Sequence, residues 1–222
     1  MKNIAVISGD FINSTQYESD LLKSLMKLLK AEFTAIKSKN TPDGIYFSLF
    51  RGDSFQGVMD NPVTALSTAL QIKALVNKTM SNNTNVTSKT PVADIRISIG
   101  IGDADLDHNS IAESNGEAFH FSGLTLDKMK QTGAKMALTT RLSEVNEEFL
   151  VSLRFLDALT NRWSTASAEV VYYLLKGYTE QQIADELGRS QAAINLRKKA
   201  AGWDEIQLLL QRYEKVAKNY FT

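Results

Sequence analysis

Hydrophobic positions change their period several times along the chain, and each change marks a different element. Ile4–Ser8 (IAVIS) is apolar on both faces, the mark of a central strand. Over Ser19–Lys37 the residues Leu22, Met26, Leu29, Phe33 and Ile36 recur every three or four positions, which predicts an amphipathic helix. Tyr46–Arg51 and Ser54–Met59 are β-rich segments joined at Gly52-Asp53, a hairpin signal. Pro62–Met80 places Ala65, Ala69, Ile72 and Val76 on one helical face, with proline just inside its start. Ser81–Thr90 is polar and predicts a surface loop. Asp94–Ile101 alternates strictly, with Ile95, Ile97, Ile99 and Ile101 on one face, as a strand lying half-buried on a core does.

The resulting order, β-α-β-β-α-β, is that of a ferredoxin-like α+β fold. Helical patterns at Gly116–Gln131 and Arg141–Leu159, with a short strand at Met136–Thr139 between them, extend it. The rest of the chain reads as helical: Ser164–Lys176, Thr179–Leu187, Ser190–Ala200 and Asp204–Asn219. A linker near Leu159–Ser164 therefore divides an α+β domain, 1–158, from an all-α domain, 159–222.

Composition changes this picture mainly by exclusion. The 222 residues contain no cysteine and only two histidines, which removes disulfides, cysteine–zinc sites, thiol catalysis and histidine-rich metal centres, and suits a reducing cytoplasm. No apolar run approaches the ~18 residues of a membrane span. Asp10 ends the first apolar run too soon for a secretory leader. Formal net charge is zero, yet Leu187–Trp203 holds Arg189, Arg197, Lys198 and Lys199 without an acid. A local basic face of that kind matters more for DNA than the chain total.

The topology gives two acids a shared place. In a split βαβ sheet the end of the first strand lies level with the hairpin joining the second and third. Asp10, two residues past the first strand, therefore comes beside Asp53 in the turn. Adjacent carboxylates repel, and a divalent cation such as Mg²⁺ commonly resolves this with one or two protein carboxylates plus substrate phosphates. The following segment, Phe11–Thr15, offers backbone amides suited to a phosphate. The plainer alternative is that Asp10 caps a turn and Asp53 is simply a favoured turn residue.

Four blocks in order, SGDFINS, RGDSFQ, IRISIGIG and SNGEAFHFSG, resemble the SatD family of bacterial proteins over essentially the whole chain. The front domain of that family is similar to class III nucleotidyl cyclases and related palm domains. The resemblance implies metal binding (Mg²⁺ or Mn²⁺) at Asp10 and Asp53, and nucleotide contacts from Phe11, Asn13, Ser14, Gly52 and Lys128. It also implies a homodimer, because palm-type cyclase domains commonly pair. The cyclase asparagine and arginine that steady the transition state have no counterpart in Gly123–Lys130 (GLTLDKMK), where Lys128 or Lys130 would act as a point charge instead. Glu117 and His120 keep two readings, nucleotide contact or helix cap and core.

Other motifs fail on spacing. Asp103, Asp105 and Asp107 begin a calcium loop, but His108 stands where it needs glycine and Ser114 where it needs glutamate. Gly100 and Gly102 lack the third glycine of a dinucleotide fingerprint, and no phosphate-binding P-loop is present.

Thr179–Ile194 fits a helix-turn-helix, with Thr179 and Ser190 as N-caps, Gln182 completing a capping box and Gly188 allowing the turn. The pattern resembles region 4 of sigma factors, except that Lys198 stands where an apolar residue is usual. Ser190–Ala200 becomes the recognition helix, exposing Gln191, Ala192, Asn195, Lys198 and Lys199. Its DNA-contacting set is Arg189, Ser190, Gln191, Asn195, Arg197, Lys198 and Lys199. A plain three-helix bundle and a protein-binding motif remain open. Trp203, Ile206, Leu210, Tyr213, Ala217 and Tyr220 form a last apolar stripe, either a dimer seam or core.

Two functions therefore compete: a nucleotide-responsive DNA-binding regulator, or an active Mg²⁺-dependent nucleotidyl cyclase or nucleotidyltransferase with an accessory tail.

Overall fold

A computed structural model describes residues 3–39, 44–50, 52–79, 90–105 and 114–222. It is an α+β fold in which a five-stranded sheet is packed by helices on both faces. The strands are β1 (Ile4–Phe11), β2 (Ile45–Phe50), β3 (Ser54–Met59), β4 (Ile95–Gly102) and β5 (Met136–Thr140), in spatial order β2-β3-β1-β4-β5. β1 lies antiparallel to both β3 and β4, and β5 runs parallel to β4. The first four strands thus have the expected ferredoxin-like order.

β1 is longer than its apolar run. It continues to Phe11 because Asp10 pairs on both sides, with Ser54 of β3 and Arg96 of β4. Asp10 is therefore a strand residue and not a residue of the following loop. Neighbouring strands supply the ladder that residue type alone does not announce.

The two faces of the sheet are buried against different helices. Ala5, Ile7 and Phe11 of β1, with the four isoleucines of β4, belong to the main core beneath α1 (Ser19–Lys39) and α2 (Ala65–Asn77). Ile4 and Val6 pack on the other face with Ala118 of α3 (Glu117–Thr132). Pro62 opens a separate 3₁₀ turn, Pro62–Thr64, whose cap is the Asn61 side chain accepting from the Val63 amide. α2 proper starts after it. Met80 and residues 81–89 lie outside the described residues, so the expected polar loop does too, as do Arg51, Asp107 and His108.

α4 (Ser143–Thr160) packs along β5, and α5 (Thr165–Leu175) packs on α2. α6 (Glu180–Leu187) and α7 (Gln191–Ala200) follow, then α8 (Trp203–Tyr220). The main core crosses the Leu159–Ser164 segment without a break, since Trp163, Val171, Tyr172, Trp203, Ile206 and Tyr213 belong to it. Tyr172 Oη donates to Glu32 of α1 at 2.5 Å, and Tyr213 Oη donates to the Pro62 carbonyl at 2.7 Å. Most of the stripe on α8 is core: Trp203, Ile206, Tyr213 and Ala217 are buried within the chain, Leu210 is partly buried, and Tyr220 is 57% exposed. α6 and α7 share a separate small cluster with α5, built on Val170, Ile183, Ala184 and Ile194.

Candidate functional site

Asp10 lies on the α3 face of the sheet near the end of β1. Its Oδ1 accepts from Arg96 Nε at 3.0 Å, and Lys130 Nζ from α3 lies 3.7 Å from Oδ2. The turn between β2 and β3 brings Asp53 to the same end, because Asp10 is registered opposite Ser54. The Phe11 amide donates to the Asp53 carbonyl at 3.1 Å, and Ser14 Oγ donates to Asp53 Oδ2 at 2.8 Å. Topology has thus joined three segments distant in sequence: Asp10 with Ser14, Asp53, and Lys130.

The electrostatics of the pair are unbalanced. Burial raises the Asp10 pKa above the ordinary carboxylate range; Arg96 and Lys130 oppose this without cancelling it, and Asp53 raises it further. Arg96 and Lys130 are the nearest cations, whereas sequence topology pointed to a metal as the third party.

Among the described residues no group of three or more histidine, cysteine or acidic side chains forms a metal cluster. Two carboxylates remain, with Lys130 only loosely engaged and half-exposed. An added cation would favour the ionised Asp10 that burial opposes. Such a set suits a hard cation whose other ligands are phosphate oxygens and water.

The remaining expected contacts divide. Phe11 is buried in the main core, and its amide is held by Asp53, while the Ile12 amide is held by the Asp94 carbonyl at 2.9 Å. That narrows the phosphate-facing segment to Asn13–Thr15. Asn13 is exposed and left-handed (φ 55°), opening a 3₁₀ turn, Ser14–Gln16. Gly52 takes the left-handed turn position (φ 79°) beside Asp53. Lys128, however, lies on another side of α3. It lines a groove between α3, β5 and α4, while Lys130 reaches Asp10. Two residues on a helix point about 200° apart, so only one lysine can serve the site. Glu117 is neither a helix cap nor core: its carboxylate receives Arg141 at 2.8 Å near the surface.

Sequence reasoning overlooked a buried cluster behind the site. Lys73 of α2 donates to Asp94 at 2.7 Å, and Lys135 reaches the other oxygen of Asp94 at 2.6 Å. Asp94 also accepts from Asn77, and its backbone exchanges hydrogen bonds with the Tyr17 hydroxyl. Tyr17 closes the turn that carries Ser14, so the cluster braces the loop beside Asp53. The clue was Lys73 itself, a lysine inside an otherwise apolar helical run.

At α6–α7 the caps form as expected. Thr179 and Gln182 complete the capping box, Ser190 accepts from the Ala193 amide, and Gly188 is left-handed at φ 59°. The exposed surface differs from the expected one. Asn195 Nδ2 donates to the Glu180 carboxylate at 3.2 Å and Lys198 Nζ donates to it at 3.0 Å. Neither side chain projects freely, because the first turn of α6 lies against this side of α7. Arg197 is half-buried, Arg189, Ser190, Gln191 and Lys199 are exposed, and Leu196 is 68% exposed.

No family model and no curated protein matches the chain. Among solved structures it is similar to the active GGEEF domain of a diguanylate cyclase from Vibrio cholerae, with TM-score 0.39 and 19% identity over 64% of this chain and 84% of that one. It is also similar to a bacterial light-regulated adenylyl cyclase, with TM-score 0.41 and 15% identity over 62% and 76%. A third is an adenylate cyclase from Trypanosoma brucei, with TM-score 0.38 and 14% identity over 55% and 68%. Among the described residues no helix is long and apolar enough to cross a membrane.

Proposed function

We propose that the Asp10–Asp53 end of the sheet binds a nucleotide through a divalent cation, Mg²⁺ or Mn²⁺, and that the chain carries out metal-dependent nucleotidyl transfer or cyclisation. The observation behind this reading is the meeting of Asp10, Asp53, Ser14 and Lys130 at one end of adjacent strands. The SatD-like blocks of sequence contain Asp10, Ser14 and Asp53.

Asp10 and Asp53 are the ligands this chain would supply. The cation, when bound, neutralises phosphate charge and polarises the reacting phosphorus. Arg96 fixes the orientation of Asp10, and Ser14 does the same for Asp53. Lys130, which donates to Asp127 at 3.1 Å and lies 3.7 Å from Asp10, would turn to a phosphate oxygen as a point charge and not as an arginine fork. Calorimetry with each nucleoside triphosphate and Mg²⁺ or Mn²⁺, followed by mass spectrometry of products, tests the reading. Asp10→Ala, Asp53→Ala and EDTA should each abolish binding, and undiminished binding in all three would refute the metal site.

Metal-dependent binding without any product would favour the regulator instead. The observation on that side is the pair of capped helices α6 and α7 with Arg189, Ser190, Gln191 and Lys199 exposed. Arg189 and Lys199 would contact phosphates and Gln191 a base edge, with a homodimer supplying two half-sites. Selection from random duplexes checks it. Arg189→Ala with Lys199→Ala should then weaken all sequences alike and flatten the salt dependence by about two phosphate equivalents.

A further inference from the structure

β5 is an edge strand, so only one of its sides is paired by β4. The Ile97 amide donates to the Lys135 carbonyl at 2.8 Å, which sets the alternation of the ladder. Odd-numbered residues of β5 therefore face β4. Met136, Leu138 and Thr140 turn their amides and carbonyls outward.

α4 covers both ends of this outer side. Near its start, Asp157 Oδ2 accepts from the Lys135 amide at 2.8 Å. Near its end, Asn146 bonds both the amide and the carbonyl of Thr140, each at 2.8 Å. Leu138 lies between the two caps. Its outward backbone groups open into a groove of about 520 Å³ bounded by α3 on one side and α4 on the other. An edge strand left open in this way is a template for another strand.

We infer that this groove binds an extended peptide, which adds to β5 as a sixth, antiparallel strand with apolar side chains on the groove walls and an acidic group at Lys128 and Arg154. The walls are Phe121 and Met129 from α3, and Phe149 and Leu153 from α4. Leu124 and Leu150 form the lips and are 59% and 61% exposed. Backbone pairing would supply affinity, and alternate side chains would supply selectivity.

Charge sets the direction. Thr125 of α3 is hydrogen-bonded to Thr139 near the end of β5, so Lys128, one turn later, lies toward the start of β5. Arg154 lies toward the same end, between Asn146 and Asp157 on α4. Glu147 lines the opposite end, next to Asn146. The groove is positive where β5 begins and negative where it ends. A strand antiparallel to β5 brings its C-terminal side to the two cations, whereas a parallel one would bring it to Glu147.

Size decides between a peptide and a second copy. The groove runs along β5, about five residues at ~3.3 Å each, while the caps confine backbone pairing to the Leu138 amide and carbonyl. The β5 edge of another copy is recessed between its own α3 and α4, which would collide with the lips here.

The test pans a phage-displayed library of linear octapeptides against the full chain. Enriched peptides should alternate apolar residues and follow them with Asp or Glu. In ¹⁵N spectra they should slow hydrogen exchange at the Leu138 amide. Lys128→Glu with Arg154→Glu should weaken them about tenfold, from two rim ion pairs, and shift the selection to basic peptides. Four results would overturn the inference: no enriched extended motif, enriched peptides that leave the Leu138 amide unprotected, binding indifferent to the charge reversal, or concentration-dependent protection of Leu138 by the chain alone. Decanoate binding the groove while no peptide is selected would make it an acyl-anion site and would also refute the peptide.

Discussion

At the scale of single residues, charge burial distinguishes Asp10 from Asp94. Burial raises the Asp10 pKa more than Arg96 and Lys130 lower it, so the fold holds its proton more tightly than the unfolded chain does. Its contribution to stability is present at low pH and is lost as pH rises through the folded pKa. Asp10→Asn should therefore melt above the wild type at pH 7 in EDTA, by differential scanning calorimetry, and should lose any Mg²⁺-dependent stabilisation. Asp94 has the opposite sign. Burial would raise it, but Lys73 and Lys135 outweigh burial and hold its pKa at about 2. That stability, about 2 kcal/mol, is present above pH ~4 and fades as pH falls toward 2. Lys73 is buried almost completely, which lowers its own pKa. Asp94→Asn leaves that lysine without its charge partner and should cost about 3–5 kcal/mol in urea unfolding, while adding Lys73→Met should recover part of the loss.

At the scale of elements, the seat of α3 controls which lysine meets Asp10. α3 crosses β4 at Gly100, where an added Cβ would collide with the Ala118 carbonyl and the Ser122 amide of the helix backbone. Ser98, Ser122 and Ser8 hydrogen-bond beneath it, with Ser98 Oγ donating to the Ser122 carbonyl at 2.6 Å and Ser8 Oγ 3.0 Å from Ser122 Oγ. Helix and strand can approach this closely only because both contact positions are small. Gly100→Ala should push α3 outward, cost about 1–3 kcal/mol by chemical denaturation, and weaken nucleotide binding by moving Lys130 from Asp10. Binding unchanged in a destabilised Gly100→Ala protein would separate Lys130 from the site. The same crossing directs Lys128 away from it, although the two lysines are near neighbours in sequence.

At the scale of the whole molecule, the question is whether the helical tail stands apart. α5 and α8 bury their apolar faces in the main core, and Glu32 and Pro62 receive tyrosine hydroxyls from them. A chain ending at Leu159 should therefore expose that core, and we expect it to bind a hydrophobic dye and lack a cooperative melt. The full chain should unfold in one transition, with far-ultraviolet circular dichroism and tryptophan fluorescence coinciding. Trp163 and Trp203 both lie at the junction, so their fluorescence reports the docking directly. A stable, cooperative 1–159 fragment would restore the two-domain division expected from the helical pattern.

What sequence determined by itself was local. Five strands and eight helices follow from periodicity, and the caps at Thr179, Ser190 and Gly188 follow from backbone chemistry that acts within a few residues. The meeting of Asp10 with Asp53 was also legible, because strand order alone brings those ends together. Tertiary structure decided the rest. β1 runs through Asp10 because two neighbouring strands pair it, and α8 is core because Pro62 and Phe149 lie against it. Arg96 meets Asp10 because the β4 register puts it there, and Glu180 occupies Asn195 and Lys198 because α6 crosses α7 at that point. Period and capping are properties of neighbouring residues, whereas the partner of a charge depends on elements that only the folded chain brings within a few ångströms.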